Sequence, residues 1–188
     1  MSAYFKEFRK SCLNPSKLDL RFDQENSWAI AKFCPELFDP VKYDWENESS
    51  AVVLYCPKNF DPDRFNWENG SWAVACEMPD KLDVNKFNWQ KYSDYVAEYC
   101  PDKLKKNPLL TILHVATSSV SDETLDVFFL ASYKGEKETF VIQTTDKQAV
   151  NQISRIYDNN KQQQAWVNFA WPQLEKSLSK WIRSVEEM

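Results

Sequence analysis

Four prolines set a ruler along the first half of this chain: Pro35, Pro57, Pro79 and Pro101 stand 22 residues apart. Other columns keep the same step. Ser27, Ser49, Ser71 and Ser93 form one, and Ile30, Val52, Val74 and Val96 another, with Ala31, Val53, Ala75 and Ala97 beside it. Cys34, Cys56, Met78 and Cys100 precede the prolines. Asp39, Asp61 and Asp83 follow, then Lys42, Arg64 and Lys86, Tyr43, Phe65 and Phe87, and Trp45, Trp67 and Trp89. Self-similarity at this period is the mark of a solenoid, in which each unit buries its apolar face only against its neighbours.

Within a unit the residues read as one helix and one tight turn. The serines are placed as N-caps, whose hydroxyls accept from first-turn amides. Ile30, Phe33 and Cys34 make an i, i+3, i+4 stripe toward the core. Pro35 ends the helix, because proline breaks the ladder and biases its predecessor out of helix. Asp39-Pro40 and Asp61-Pro62 read as the start of a second, short helix. The aromatic pair Tyr43/Trp45, repeated as Phe65/Trp67 and Phe87/Trp89, is expected to wedge between units. These strings, such as Ser71-Trp72-Ala73-Val74-Ala75 and the Cys-Pro pairs, resemble the leucine-rich-repeat-variant solenoids over about residues 12–104. That resemblance implies alternating short and longer helices and an interaction scaffold. The chain departs from it in using Trp, Tyr and Cys where that class favours Leu and Ala.

The grammar changes after Leu104. Residues 109–116 are a short apolar run that suits a strand or a helix, with strand favoured. Residues 125–133 and 139–144 are rich in Phe, Val and Ile and flank Lys134-Gly135-Glu136, a hairpin turn. A helix is expected over 146–157. A broad stripe from Trp166 through Ala170, Leu174, Leu178 and Ile182 to Val185 is expected to be helical with an interruption at Pro172. The expected fold class is therefore mainly α: a helical-repeat solenoid followed by a small α+β part with a β-hairpin and two to three helices. The expected domains are an N-terminal helix and degenerate capping repeat at 1–26, a four-unit repeat at 27–104 and an α+β domain at 105–188.

Composition excludes several chemistries. Two glycines in 188 residues leave no room for a Gly-rich phosphate loop, a dinucleotide fingerprint or a nucleophile elbow. Of 23 basic and 28 acidic residues, ten of each fall in 105–188, so the repeat half carries 13 against 18 and the whole excess of negative charge. Nucleic-acid binders carry the opposite sign, so no direct nucleic-acid contact is expected. The charged start of the chain is not a signal peptide, and no apolar run reaches membrane-span length, so a reducing, cytoplasmic setting is expected. The five cysteines are scattered singly and one column exchanges Cys for Met78, which buried thiol packing explains and zinc ligation does not. No metal, cofactor or catalytic residue is expected. His114, the sole histidine, sits in the apolar run and reads as a hydrogen-bonded structural residue. Acidic pairs such as Asp44 and Glu46 read as caps and solvated surface.

The informative positions are the repeat columns that vary. Trp28, Ser50, Trp72 and Asp94 form one such column, and Lys32, Leu54, Cys76 and Glu98 another. They are i, i+4 neighbours, so they stack into a ladder along one face. Tryptophan on such a face points either to an external partner, because Trp is enriched in binding hot spots, or to cover by the C-terminal part or a dimer mate. The expected function is a non-enzymatic protein-binding or inhibitory protein whose partner is another protein, basic or nucleic-acid-handling. A phage-encoded inhibitor of a bacterial defence nuclease, or a toxin-immunity protein, fits that size and charge. The alternatives are a structural subunit or homodimeric scaffold, and an enzyme using His114.

Overall fold

The computed structural model describes residues 27–121 and 123–188. The N-terminal helix and capping repeat expected over 1–26 lie outside them. Four helices come first: α1 (Ser27–Phe33), α2 (Trp45–Tyr55), α3 (Trp67–Glu77) and α4 (Trp89–Tyr99). Each is followed by a 3-10 turn, at Pro35–Leu37, Pro57–Asn59, Pro79–Lys81 and Pro101–Lys106. The chain divides into two compact units, the first ending at Asn88 and the second running Trp89–Met188. In the first, α1 packs on α2 and α2 on α3, a short helical repeat in series.

Proline acts twice in each repeat. Cys34, Cys56 and Met78 leave the helical region at φ near −140, and the next residue, proline, takes the first position of the 3-10 turn. There its missing N–H costs nothing and its fixed φ is already helical. The short helix of each unit is thus this 3-10 turn, and the Asp-Pro segment expected to start one makes a single turn instead. Tyr43, Phe65 and Phe87 donate back to the carbonyls of Asp39, Asp61 and Asp83 at 2.9–3.0 Å. The Asp carboxylates accept from the amides two residues on, at Val41, Asp63 and Asn85. This side-chain mimicry of a turn competes with helix propagation.

The serine column is corrected. Helices α2 and α3 begin four residues before their serines, capped by Asp44, which accepts from Asn47 at 3.2 Å, and by Asn66, which accepts from Glu68 and Asn69. Aspartate and asparagine are as good caps as serine, so the earlier start wins. Ser49 and Ser71 are buried, and their hydroxyls donate to the carbonyls of Trp45 and Trp67 one turn back. Each oxygen accepts in turn from the cap amide of the following unit. Asp44 donates to Ser27 at 3.2 Å, Asn66 to Ser49 at 2.9 Å and Asn88 to Ser71 at 3.2 Å. A cap amide has no partner within its own helix, so the serine of the preceding unit supplies it. In the second unit the side chain of buried Asn107 takes that place on Ser93, at 3.2 Å.

Aromatic residues fill the space between backbone turns. Phe38, Tyr43 and Trp45 meet with centroids 4.7–5.9 Å apart, and Phe60, Phe65 and Trp67 repeat the cluster at 5.1–6.2 Å. The indole N–H groups of Trp45 and Trp67 donate to the carbonyls of Pro40 and Pro62 at 2.9 Å, so these large rings bury without an orphan donor. Tyr43 and Trp45 share a core with Ala31, Ala51, Val52 and Cys56, which places the pair between α1 and α2 as the spacing requires. Gly70 serves this packing. A Cβ there would stand 2.6 Å from Cζ of Phe65, whereas at the equivalent places Glu48 and Tyr92 depart from helical dihedrals.

The second unit adds an antiparallel sheet in the order β1 (Leu110–Ser119), β2 (Leu125–Tyr133), β3 (Glu136–Thr144). The β2–β3 turn is Lys134-Gly135, both at positive φ, the geometry that a two-residue hairpin of native twist demands. Two helices follow, α5 (Lys147–Ser154) and α6 (Asn159–Glu186). Pro172 does not interrupt α6. It lies on the exposed side, as does Asn168, whose carbonyl it leaves unpaired one turn back. Burial of Trp166, Val167, Ala170, Leu174, Leu178 and Ile182 on the other side contributes roughly 1.5–3 kcal/mol for each large side chain, which exceeds the cost of about 3 kcal/mol for one internal proline. That stripe packs on Val115, Val127, Phe129, Ala131 and Ile142 of the inner sheet face. Helix α4 also packs on α6, and Glu186 near the end of α6 binds the hydroxyl of buried Tyr133 and, at 2.8 Å, Lys134.

Replacing Ser49 by Ala removes an acceptor and strands the buried-side amide of Asn66. Urea denaturation of Ser49→Ala is expected to show a loss of about 1–3 kcal/mol. An unchanged or raised midpoint, as for serine on an exposed helix face, would contradict the bridging role.

Candidate protein-binding surface

The varying columns fall on one face of α1, α2 and α3. Trp28, Ser50 and Trp72 are half-buried, as are Leu54 and Cys76, while Lys32 is exposed. Trp28 leans on the core around Tyr43 and Trp45, so the tryptophans of this face are partly covered by the protein itself. Lys32 organises the start of the ladder. Its ammonium lies 4.6 Å from the ring centroid of Tyr55, 5.5 Å from that of Phe33 and 5.8 Å from that of Trp28. Trp28 and Phe33 meet edge to face at 6.0 Å. A cation over several ring faces is held by their quadrupoles, by roughly 0.5–1 kcal/mol for an exposed pair.

Phe33 and Tyr55 were not in the expected ladder. The core periodicity places Phe33 in one stripe with Ile30 and Cys34. Those two are fully buried, but Phe33 is only half-buried and Tyr55 is 41% exposed. The repeat carries the signal, since the column Phe33, Tyr55, Glu77, Tyr99 varies as freely as the columns of Trp28 and Lys32.

Asp94 and Glu98 stand on α4 in the second unit. Glu98 is exposed. Asp94 is half-buried, and burial pushes its carboxyl above the ordinary range, with the charge of Glu186 adding and two amide hydrogen bonds and Lys134 opposing. It belongs electrostatically to the Lys134–Glu186 cluster.

His114 is corrected as well. It is exposed on the outer face of β1, in one cross-strand row with Leu130 and Thr139. The apolar run that was expected to bury it is an edge strand, whose alternate residues face away from the core, and the register slips between Ile112 and His114. Among the described residues, no group of three or more His, Cys, Asp or Glu side chains is arranged to hold a metal ion, and no helix is long and apolar enough to cross a membrane. Neither a protein-family model, nor a curated protein, nor a solved structure matches the chain.

The cysteines divide between core and surface. Cys34, Cys56 and Cys100 are buried, and burial raises the Cys56 thiol to about 11. Cys76, on the ladder, is half-buried. Brief alkylation of the native protein at pH 8, read by peptide mass mapping, is expected to label Cys76 well before Cys34, Cys56 or Cys100. Equal labelling of all four would show that the ladder face is no more open than the core.

Proposed function

We propose that this chain is a non-enzymatic, cytoplasmic protein-binding protein that engages a basic partner protein through the face carrying Trp28, Lys32, Ser50, Leu54, Trp72 and Cys76, with Phe33 and Tyr55 at its first edge. The observation that carries the reading is the set of rings, two half-buried and one exposed, gathered around Lys32. Ring faces already occupied by a cation suit exchange for an arginine of a partner, because guanidinium stacks on aromatic faces better than ammonium does. The excess of acid in residues 1–104 supports a basic, nucleic-acid-handling target, since opposite charge speeds encounter and sets orientation. Stoichiometric inhibition of such a target, by a phage-encoded inhibitor of a defence nuclease or a toxin-immunity protein, is the specific form we favour. The alternation of 3-10 turn and α-helix supports kinship of design with leucine-rich-repeat-variant scaffolds, which serve as interaction surfaces.

The test is capture of a partner from bacterial lysate on the full chain, followed by calorimetric titration of the purified partner. Binding is expected to weaken between 50 and 300 mM salt (about a Debye-length change from 14 to 6 Å). Trp28→Ala and Trp72→Ala are each expected to weaken it by about tenfold or more. Binding that ignores salt and both substitutions would overturn this reading.

A further inference from the structure

A second surface lies in the C-terminal unit, where the sheet ends on a strand without charged residues. Strand β1 pairs with β2 alone among the described residues and forms one edge of the sheet. Its ten residues, LTILHVATSS, contain no Asp, Glu, Lys or Arg, and most are exposed. The other edge, β3, opens on Glu136, Lys137 and Glu138. Edges are ordinarily protected by such charges, because a bare row of amides and carbonyls invites another strand. The β1 edge has one partial guard, the register shift between Ile112 and His114, which leaves Leu113 44% exposed. Beyond it, 114–119 pair regularly with β2.

Alongside this edge runs a groove of about 370 Å³ between β1 and α6. Leu110, Ile112 and Val115 line it from the strand, and Val167 and Trp171 from the helix, and no β2 residue takes part. It is therefore the space that the inward side chains of one more strand would fill. The carboxamides of Gln163 and Gln164 also line it. Lys105 is its one charged lining residue, with the ammonium 5.4 Å from the Trp171 ring centroid and bonded to the carboxamide oxygen of Asn168.

We infer that the β1 edge and its groove accept an extended segment of a partner protein, apolar at alternate positions and carrying a carboxylate that meets Lys105. The backbone pairs with 114–119 and runs on past the bulge beside 110–112, where its alternate side chains enter the groove, as in other cases of strand addition. Charge decides between this occupant and a second copy of the chain. A second β1 would bring no carboxylate to Lys105, because that strand holds none. This surface shares no residue with the repeat-helix face.

The experiment follows amide resonances of the ¹⁵N-labelled full chain during titration with three synthetic octapeptides. The first is acetyl-Asp-Thr-Val-Thr-Val-Thr-Ile-Thr-amide, which puts Asp on the face of the apolar residues, the second begins with Lys in place of Asp, and the third is the first with alternate backbone amides methylated. The acidic peptide is expected to shift amides in 110–119 and the Trp171 indole, and to bind about tenfold more tightly than the Lys peptide. The methylated peptide is expected not to bind, and Lys105→Glu, at an exposed position, to reverse the charge preference. Absence of shifts in 110–119, equal response to both charges, or equal binding of the methylated peptide would each overturn the proposal. So would sedimentation showing a dimer whose 110–119 amides shift with protein concentration alone.

Discussion

A buried serine hydroxyl that faces two ways holds the repeat in register. Inside its own helix it closes on the tryptophan carbonyl one turn back, and outward it receives the first amide of the next helix. The backbone group it satisfies is one that every helix start leaves unpaired. Burying that start against a neighbour would cost about 1–3 kcal/mol without such a partner. One small polar side chain in 22 residues thus lets successive helices approach closely with their ends dry. The rest of the unit is arranged around this approach, with alanine or valine where units meet and proline directing the return.

The architecture was legible because repetition averages out local ambiguity. A single Ser or Pro says little, but four of each in register give the period, the helix and its stop. Strands β2 and β3 and their turn were legible because Lys134-Gly135 must take positive φ between two runs of β-formers. What misled was always a residue with two good uses. Serine is a fine N-cap, and Asp44, which the sequence does mark as a cap, has its counterpart in Asn66, each five residues before a serine and each starting the helix first. Pro172 breaks most helices, yet the stripe from Trp166 to Ile182 outweighs its missing bond. His114 sat in an apolar run that proved to be an edge strand. Phe33 obeyed the core periodicity and still reaches the surface, because no rule of spacing reports how far a neighbouring helix extends over a ring.

The same physics separates scaffold from surface. Columns that repeat are those the packing dictates, and the columns free to vary collect on one face, where Lys32 lies over the rings of Trp28, Phe33 and Tyr55. In the second unit Asn107 and α6 give α4 what a further repeat would have given it. The sheet attached there is closed by charge at β3 and left open at β1. Both proposed contacts are therefore places where a repeating or pairing rule stops being obeyed.

The central claim is that each serine binds the first amide of the next helix, and hydrogen exchange of the amides of Asp44, Asn66 and Asn88 tests it directly. An amide at a helix start with no partner exchanges by local fraying, near the low end of the stability scale. The account predicts that these three are protected as strongly as amides in the middle of α2 and α3, and that Ser49→Ala removes protection at Asn66 first. Rapid exchange at all three in the unsubstituted protein would contradict it.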